Sequence, residues 1–75
     1  MLAMNKDDIL FRVAENLRLA RLKKHYTQDY LAELAGITQK YLNMIENKKV
    51  NPSIAIVVNL CDVLNIDLNS LLKDI

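Results

Sequence analysis

Four polar side chains between positions 39 and 47 stand at a spacing that a helix would gather on one side: Gln39, Lys40, Asn43 and Asn47. At about 100° per residue they project away from Tyr41, Leu42 and Ile45, with Met44 at the edge. Gln and Asn offer a donor and an acceptor side by side, the pair that fits the exposed edge of adenine. Lys reaches guanine or a phosphate, and an apolar side chain such as Met44 can touch a thymine methyl. No acid joins that face to repel a phosphate backbone. The same pattern also describes the solvated side of any amphipathic helix, so it must be weighed with the rest of the chain. Other chemistry has little to stand on. His25 is the single histidine and reads as a solvated helix end, and the lone Cys61 reads as a small core residue with no base or oxyanion donor beside it. No metal-ligand spacing is present, and the expectation is a protein that binds without catalysing and needs no cofactor.

The elements that would carry the polar face lie in the stretch Thr27 to Asn47. Thr27 is a good N-cap, and Tyr26 before it stands at the staple spacing from Leu31. The device repeats with Thr38 as cap, Ile37 before it and Leu42 at the staple position. Gly36, the only glycine, stands where the first of these helices must stop and the chain must turn at positive φ. Ala32 has no side chain beyond Cβ and lets the two helices cross closely. The expected helices run from Gln28 to Leu34, with Leu31, Leu34 and Ala35 inward, and from Gln39 to about Glu46.

Composition fits this scheme. A chain of 75 residues allows one domain, 1–75, and 52% hydrophobic residues with one Gly, one Pro and few aromatics favour helices with short connections. The class is all-α, with five helices. Asn5 caps the first, in which Ile9, Leu10, Val13, Leu17 and Ala20 recur to about Lys24. Ser53 caps a fourth to about Leu64, although its β-branched run could also start a strand. Asp67 caps a short last helix with Leu68, Leu71 and Leu72. The β-branched side chains Ile56, Val58 and Val63 leave the fourth helix more apolar than a monomer needs. Net charge is only +1, but residues 18–49 hold seven bases against three acids while both flanks are negative, so positive charge gathers around the two-helix unit, where it can neutralise phosphates. One cysteine excludes an internal disulfide and suits a reducing compartment. With neither a leader at Met1 to Met4 nor a long apolar run, a cytoplasmic location is expected and no membrane contact.

Gln28, Leu31, Ala32, Gly36, Ile37, Ile45 and Glu46, extended by Leu17-Arg18-x-x-Arg21, Asn51-Pro52-Ser53 and Leu71-Leu72, resemble the helix-turn-helix domains of phage repressors and related bacterial regulators (Cro/C1-type, XRE family). The likeness covers nearly the whole chain. It implies a transcriptional regulator, acting as a repressor on a palindromic double-stranded operator, in which the third helix enters the major groove with Gln39 and Lys40 at its leading end. The base-reading set is then Gln39, Lys40, Asn43 and Met44. The start of the second helix would sit over the backbone, giving Thr27, Gln28, Asn47, Lys48, Lys49 and Asn51 as backbone contacts. Gln28 and Gln39 stand at the spacing at which the phage repressors brace one glutamine with the other. Arg21 and Glu46 stand where the family has a buried ion pair, and the resemblance implies a homodimer, with Ile56, Leu68 and Leu72 as the contact candidates. The sequence also departs from the family, since His25, Lys48 and Asn65 occupy places where glycine is common. Lys tolerates positive φ poorly, so strain or a changed path is expected near Lys48. Two rival readings remain open: an antitoxin or other protein-interaction module on the same fold, and a helical bundle with no DNA role.

Overall fold

Every helical element in this chain starts on a side chain that accepts a hydrogen bond from the amide three residues on. The computed structural model describes residues 4–75, so the reading of Met1 to Ala3 lies outside the described residues. Asn5 takes the amide of Asp8 and opens α1, Lys6–Lys23. Thr27 takes that of Tyr30 and opens α2, Gln28–Ala35. Thr38 takes that of Tyr41 and opens α3, Gln39–Glu46, and Ser53 takes that of Ile56 and opens α4, Ile54–Leu64. Asp67 does the same for Ser70 at the head of a 3-10 segment, Leu68–Leu72. Each such cap contributes about 1 kcal/mol by satisfying an amide that the helix cannot.

The helices also share one way of stopping. Among the described residues, those at positive φ are His25 (60°), Gly36 (73°), Lys48 (61°) and Asn65 (55°). The amide that follows each reaches back five residues: Tyr26 to Arg21, Ile37 to Ala32, Lys49 to Met44, and Ile66 to Cys61, at 2.9–3.1 Å. This is the helix-closing motif that turns one residue left-handed to satisfy an orphan carbonyl. A Cβ built on Gly36 would meet nothing within 4 Å, so glycine is there for its backbone freedom and not for space. At Lys48 the chain keeps the common path and accepts the strain.

The helices pack around Leu17, Leu31, Leu42, Leu60, Leu64 and Leu71, all essentially inaccessible, each contributing about 1.5–3 kcal/mol by leaving water. Ala32 is 1% exposed at the crossing of α2 and α3. The chain is all-α as expected, and no strand forms at the β-branched start of α4, where Ser53 commits the chain to a helix. One expectation changes. Leu34 is not inward but 45% exposed; Leu31, Ala32 and Ala35 fill the buried side of this two-turn helix, which leaves Leu34 and Tyr30 outside. The short last helix expected after Asp67 forms as a 3-10 segment, with only Leu71 fully buried. It is pinned from α1: Asn16 Nδ2 donates to the carbonyls of Leu71 (2.9 Å) and Lys73 (3.0 Å), and Arg12 Nη1 to that of Leu72 (3.1 Å). Those carbonyls would otherwise lack intrahelical partners. Tyr26, expected to staple onto Leu31, packs partly on the core and meets Tyr30 edge to face at 4.9 Å.

Candidate nucleic-acid interface

The outer face of α3 exposes Gln39, Lys40 and Asn43, with Met44 half-buried at its side and Asn47 exposed just beyond the last turn. Leu42 and Ile45 anchor the opposite face in the core, and the capping of Tyr41 by Thr38 fixes where the first turn begins. Glu46, the one acid of α3, is 4% exposed. Each of the other α-helices exposes at least one carboxylate: Asp7 and Asp8 on α1, Asp29 and Glu33 on α2, Asp62 on α4. Among the α-helices, α3 alone presents no acid to solvent.

Glu46 is buried because its charge is met. Arg21 Nε donates to Oε2 at 2.8 Å and Nη2 to Oε1 at 3.0 Å, a two-pronged pair that ties the end of α3 to α1. The guanidinium also donates through Nη1 to the carbonyl of Tyr26 at 2.8 Å, holding the turn ahead of α2. Among the described residues no buried side-chain nitrogen or oxygen lacks a partner. Gln28, the first residue of α2, extends this centre outward. Its Nε2 donates to Glu46 Oε1 at 3.1 Å, and its Oε1 accepts from Asn43 Nδ2 at 3.2 Å. The partner that the structure gives Gln28 on the outer face of α3 is therefore Asn43, one turn on from Gln39.

The remaining candidate contacts surround α3. Thr27 is exposed with its hydroxyl accepting from Tyr30, Asn47 donates to the carbonyl of Asn43 at 2.8 Å, and Lys49 and Asn51 are exposed in the α3–α4 connection. Lys48 points elsewhere, with Nζ 3.2 Å from Glu15 Oε2 on α1. On α4, Asn59 Nδ2 donates to the carbonyl of Ala35 at 2.7 Å, so this polar residue serves the end of α2. Cys61 is buried, and burial, reinforced by the Asp67 carboxylate, pushes its thiol above the ordinary range. Among the described residues no cluster of three or more His, Cys, Asp or Glu is arranged to hold a metal ion. Of the dimer candidates, Ile56 is partly buried against the core, Leu72 is half-buried and Leu68 is 38% exposed. Of the apolar flank expected on α4, Val58 is 49% exposed, and Ile54, which the sequence reading did not single out, is 66% exposed.

A second short helix, closed off from a first by a left-handed glycine and presenting an acid-free polar face, defines a helix-turn-helix domain. Residues 17–71 match the Helix-turn-helix family, and the chain belongs to it. It is 33% identical over 63 residues to the HTH-type transcriptional regulator SinR of Bacillus licheniformis, covering 83% of this chain and 57% of SinR. The chain thus spans little more than half the length of that relative. Control protein C.SmaI of Serratia marcescens is 32% identical over 65 residues, covering 87% of this chain and 77% of the relative. Among solved structures, a hypothetical transcription factor NHTF from Neisseria superposes with a TM-score of 0.84 at 25% identity, over 97% of this chain and 84% of that one. No helix of the described residues is long and apolar enough to cross a membrane.

Proposed function

We propose that this chain is a transcriptional regulator, acting as a repressor in the cytoplasm, that reads a specific duplex DNA sequence with α3 in the major groove. The observation that carries the reading is the composition of the α3 face, where side chains able to pair with base edges stand together and the one acid is turned inward. In this docking Gln39, Lys40, Asn43 and Met44 meet bases. Thr27, Gln28, Asn47, Lys49 and Asn51 meet the backbone, which sets register and orientation without reading sequence. The names of the relatives, a transcriptional regulator and a control protein, support the role.

The chain binds a palindromic operator as a two-fold homodimer, on this proposal, through the exposed side of α4 and the 3-10 segment. Ile54, Val58 and Leu68 are large apolar groups left in water there. Ile54 and Leu68 line a cleft of about 230 Å³ together with Leu10, Val57 and Leu72 among others. Patches of this kind mark interfaces. Two recognition helices would then sit about 34 Å apart, one turn of DNA.

Selection of bound duplexes from a random pool, followed by titration of the winner at two salt concentrations, tests the function. A shared motif with two inverted half-sites and affinity that falls with salt is expected. A pool with no common motif, or binding indifferent to salt, would overturn it. Sedimentation adds the assembly: a monomer both free at high micromolar concentration and on the operator would remove the dimer.

A further inference from the structure

We infer that Gln28 is a positioning residue that fixes the orientation of the Asn43 amide and so selects adenine at the base that Asn43 meets. The inference rests on the docking of α3 proposed above. A carboxylate offers only lone pairs, so whichever group approaches Glu46 must present N–H. Arg21 supplies two, at 2.8 and 3.0 Å, and Gln28 supplies the third through Nε2 at 3.1 Å. That choice leaves Gln28 no freedom to flip, because a flipped amide would set its oxygen against the Glu46 carboxylate. Its Oε1 is consequently the atom that faces Asn43, and Asn43 must answer with Nδ2, at 3.2 Å. The buried charge on Glu46 thereby sets the polarity of two successive amides and reaches the surface of α3.

The consequence is chemical. Asn43 has one N–H engaged by Gln28 and keeps one N–H and Oδ1 for a ligand. One donor and one acceptor are the set that complements N7 and the amino group of adenine. The major-groove edge of guanine offers two acceptors and would meet Oδ1 with a lone pair. An unrestrained Asn could turn both N–H groups to guanine, so the restraint is what separates the two purines. Gln28 retains its second N–H, which is free for a phosphate oxygen.

The experiment is a double-mutant cycle on base preference. Wild type, Gln28→Leu, Asn43→Ala and the double variant are titrated against operator duplexes carrying each of the four bases at the position whose preference Asn43→Ala changes. Thermal unfolding of each variant accompanies the titrations, and Gln28→Ala replaces Gln28→Leu if the latter does not fold. Gln28→Leu should lower the preference for adenine over guanine at that position by about tenfold, and should change nothing there once Asn43 is alanine. A Gln28 that only touches phosphate would weaken all four duplexes alike, in both backgrounds, and that result overturns the inference. If Asn43→Ala leaves base preference untouched at every position, the docking fails and the inference with it. If Asn43→Ala changes preference while Gln28→Leu does not, the docking stands and only the inference fails.

Discussion

Lys48 Nζ lies 3.2 Å from Glu15 Oε2 and 5.1 Å from the centre of the Phe11 ring. Phe11 and Glu15 stand one turn apart on α1, so together they form a seat for a cation, one through charge and the other through its ring face. The side chain that follows α3 thus folds back along α1, and its contacts help offset the left-handed backbone at Lys48.

The first prediction separates this lysine from its neighbour. Lys48 is engaged by Glu15, which also pairs with Arg18 at 3.6 Å, whereas Lys49 is exposed and makes no ion pair among the described residues. Measured against salt on the selected operator, Lys49→Ala should lower the slope of log affinity by about one, and Lys48→Ala should leave it unchanged. Equal losses from the two variants would show that Lys48 leaves Glu15 for a phosphate.

Arg21 and Glu46 are both buried and doubly bonded. Removing either strands the other as an uncompensated charge, and Arg21→Ala or Glu46→Ala should each destabilise the fold by about 3–5 kcal/mol in urea titrations. An Arg21→Ala protein as stable as the parent would contradict this account of the core.

The helix starts were legible in the sequence because capping is short-range chemistry: Asn5, Thr27, Thr38, Ser53 and Asp67 each serve an amide three residues away. The stops were harder, since Gly36 announces a left-handed residue by its type and Asn65 and His25 only tolerate one, while at Lys48 the same geometry runs against the residue type. Leu34 was misplaced because two turns give too few positions to define a face, and Ala32 took the inner place that close crossing requires. The last short helix was legible from Asp67, but leucines three and four apart suit either helix type, so its 3-10 winding and its bonds to Asn16 and Arg12 were not. In the candidate interface, the acid-free face of α3 could be projected from spacing. The choice of Asn43 as the partner of Gln28 depends on side-chain torsions, on which spacing is silent.

His25 supplies a test of the strain itself. It is exposed, at φ 60°, and among the described residues no side-chain hydrogen bond ties it to the fold. A left-handed non-glycine residue costs about 1–2 kcal/mol, from which the greater unfolded-state freedom of glycine must be subtracted. His25→Gly should therefore stabilise by about 0.5–1 kcal/mol and raise the unfolding midpoint by a few degrees, on the order of 2–8 °C. A lower midpoint would mean that His25 makes a stabilising contact.

Cys61 gives a dependence on pH. Burial first, and Asp67 second, raise its thiol above the value it has in an unfolded chain. From about pH 8.5 upward the unfolded state loses that proton while the folded state keeps it, so the contribution is whole below this pH and declines as pH rises toward the folded value. Urea midpoints of the parent should fall more steeply between about pH 8 and pH 10 than those of Cys61→Ala. Parallel curves would show that the thiol ionises equally in both states.

The bonds from Arg12 and Asn16 to the 3-10 segment join residues 55 to 60 positions apart, while Gln28 and Asn43 meet across 15. Closing a long loop costs more chain entropy than closing a short one, although the cost grows only slowly with length. The pair α2 and α3 is therefore the cheaper contact to form first, and α1 acquires its full cover only when residues 68–72 arrive. The outer face of α2 and α3 is thus held by contacts close in sequence, whereas the cover of α1 depends on contacts between residues far apart in it.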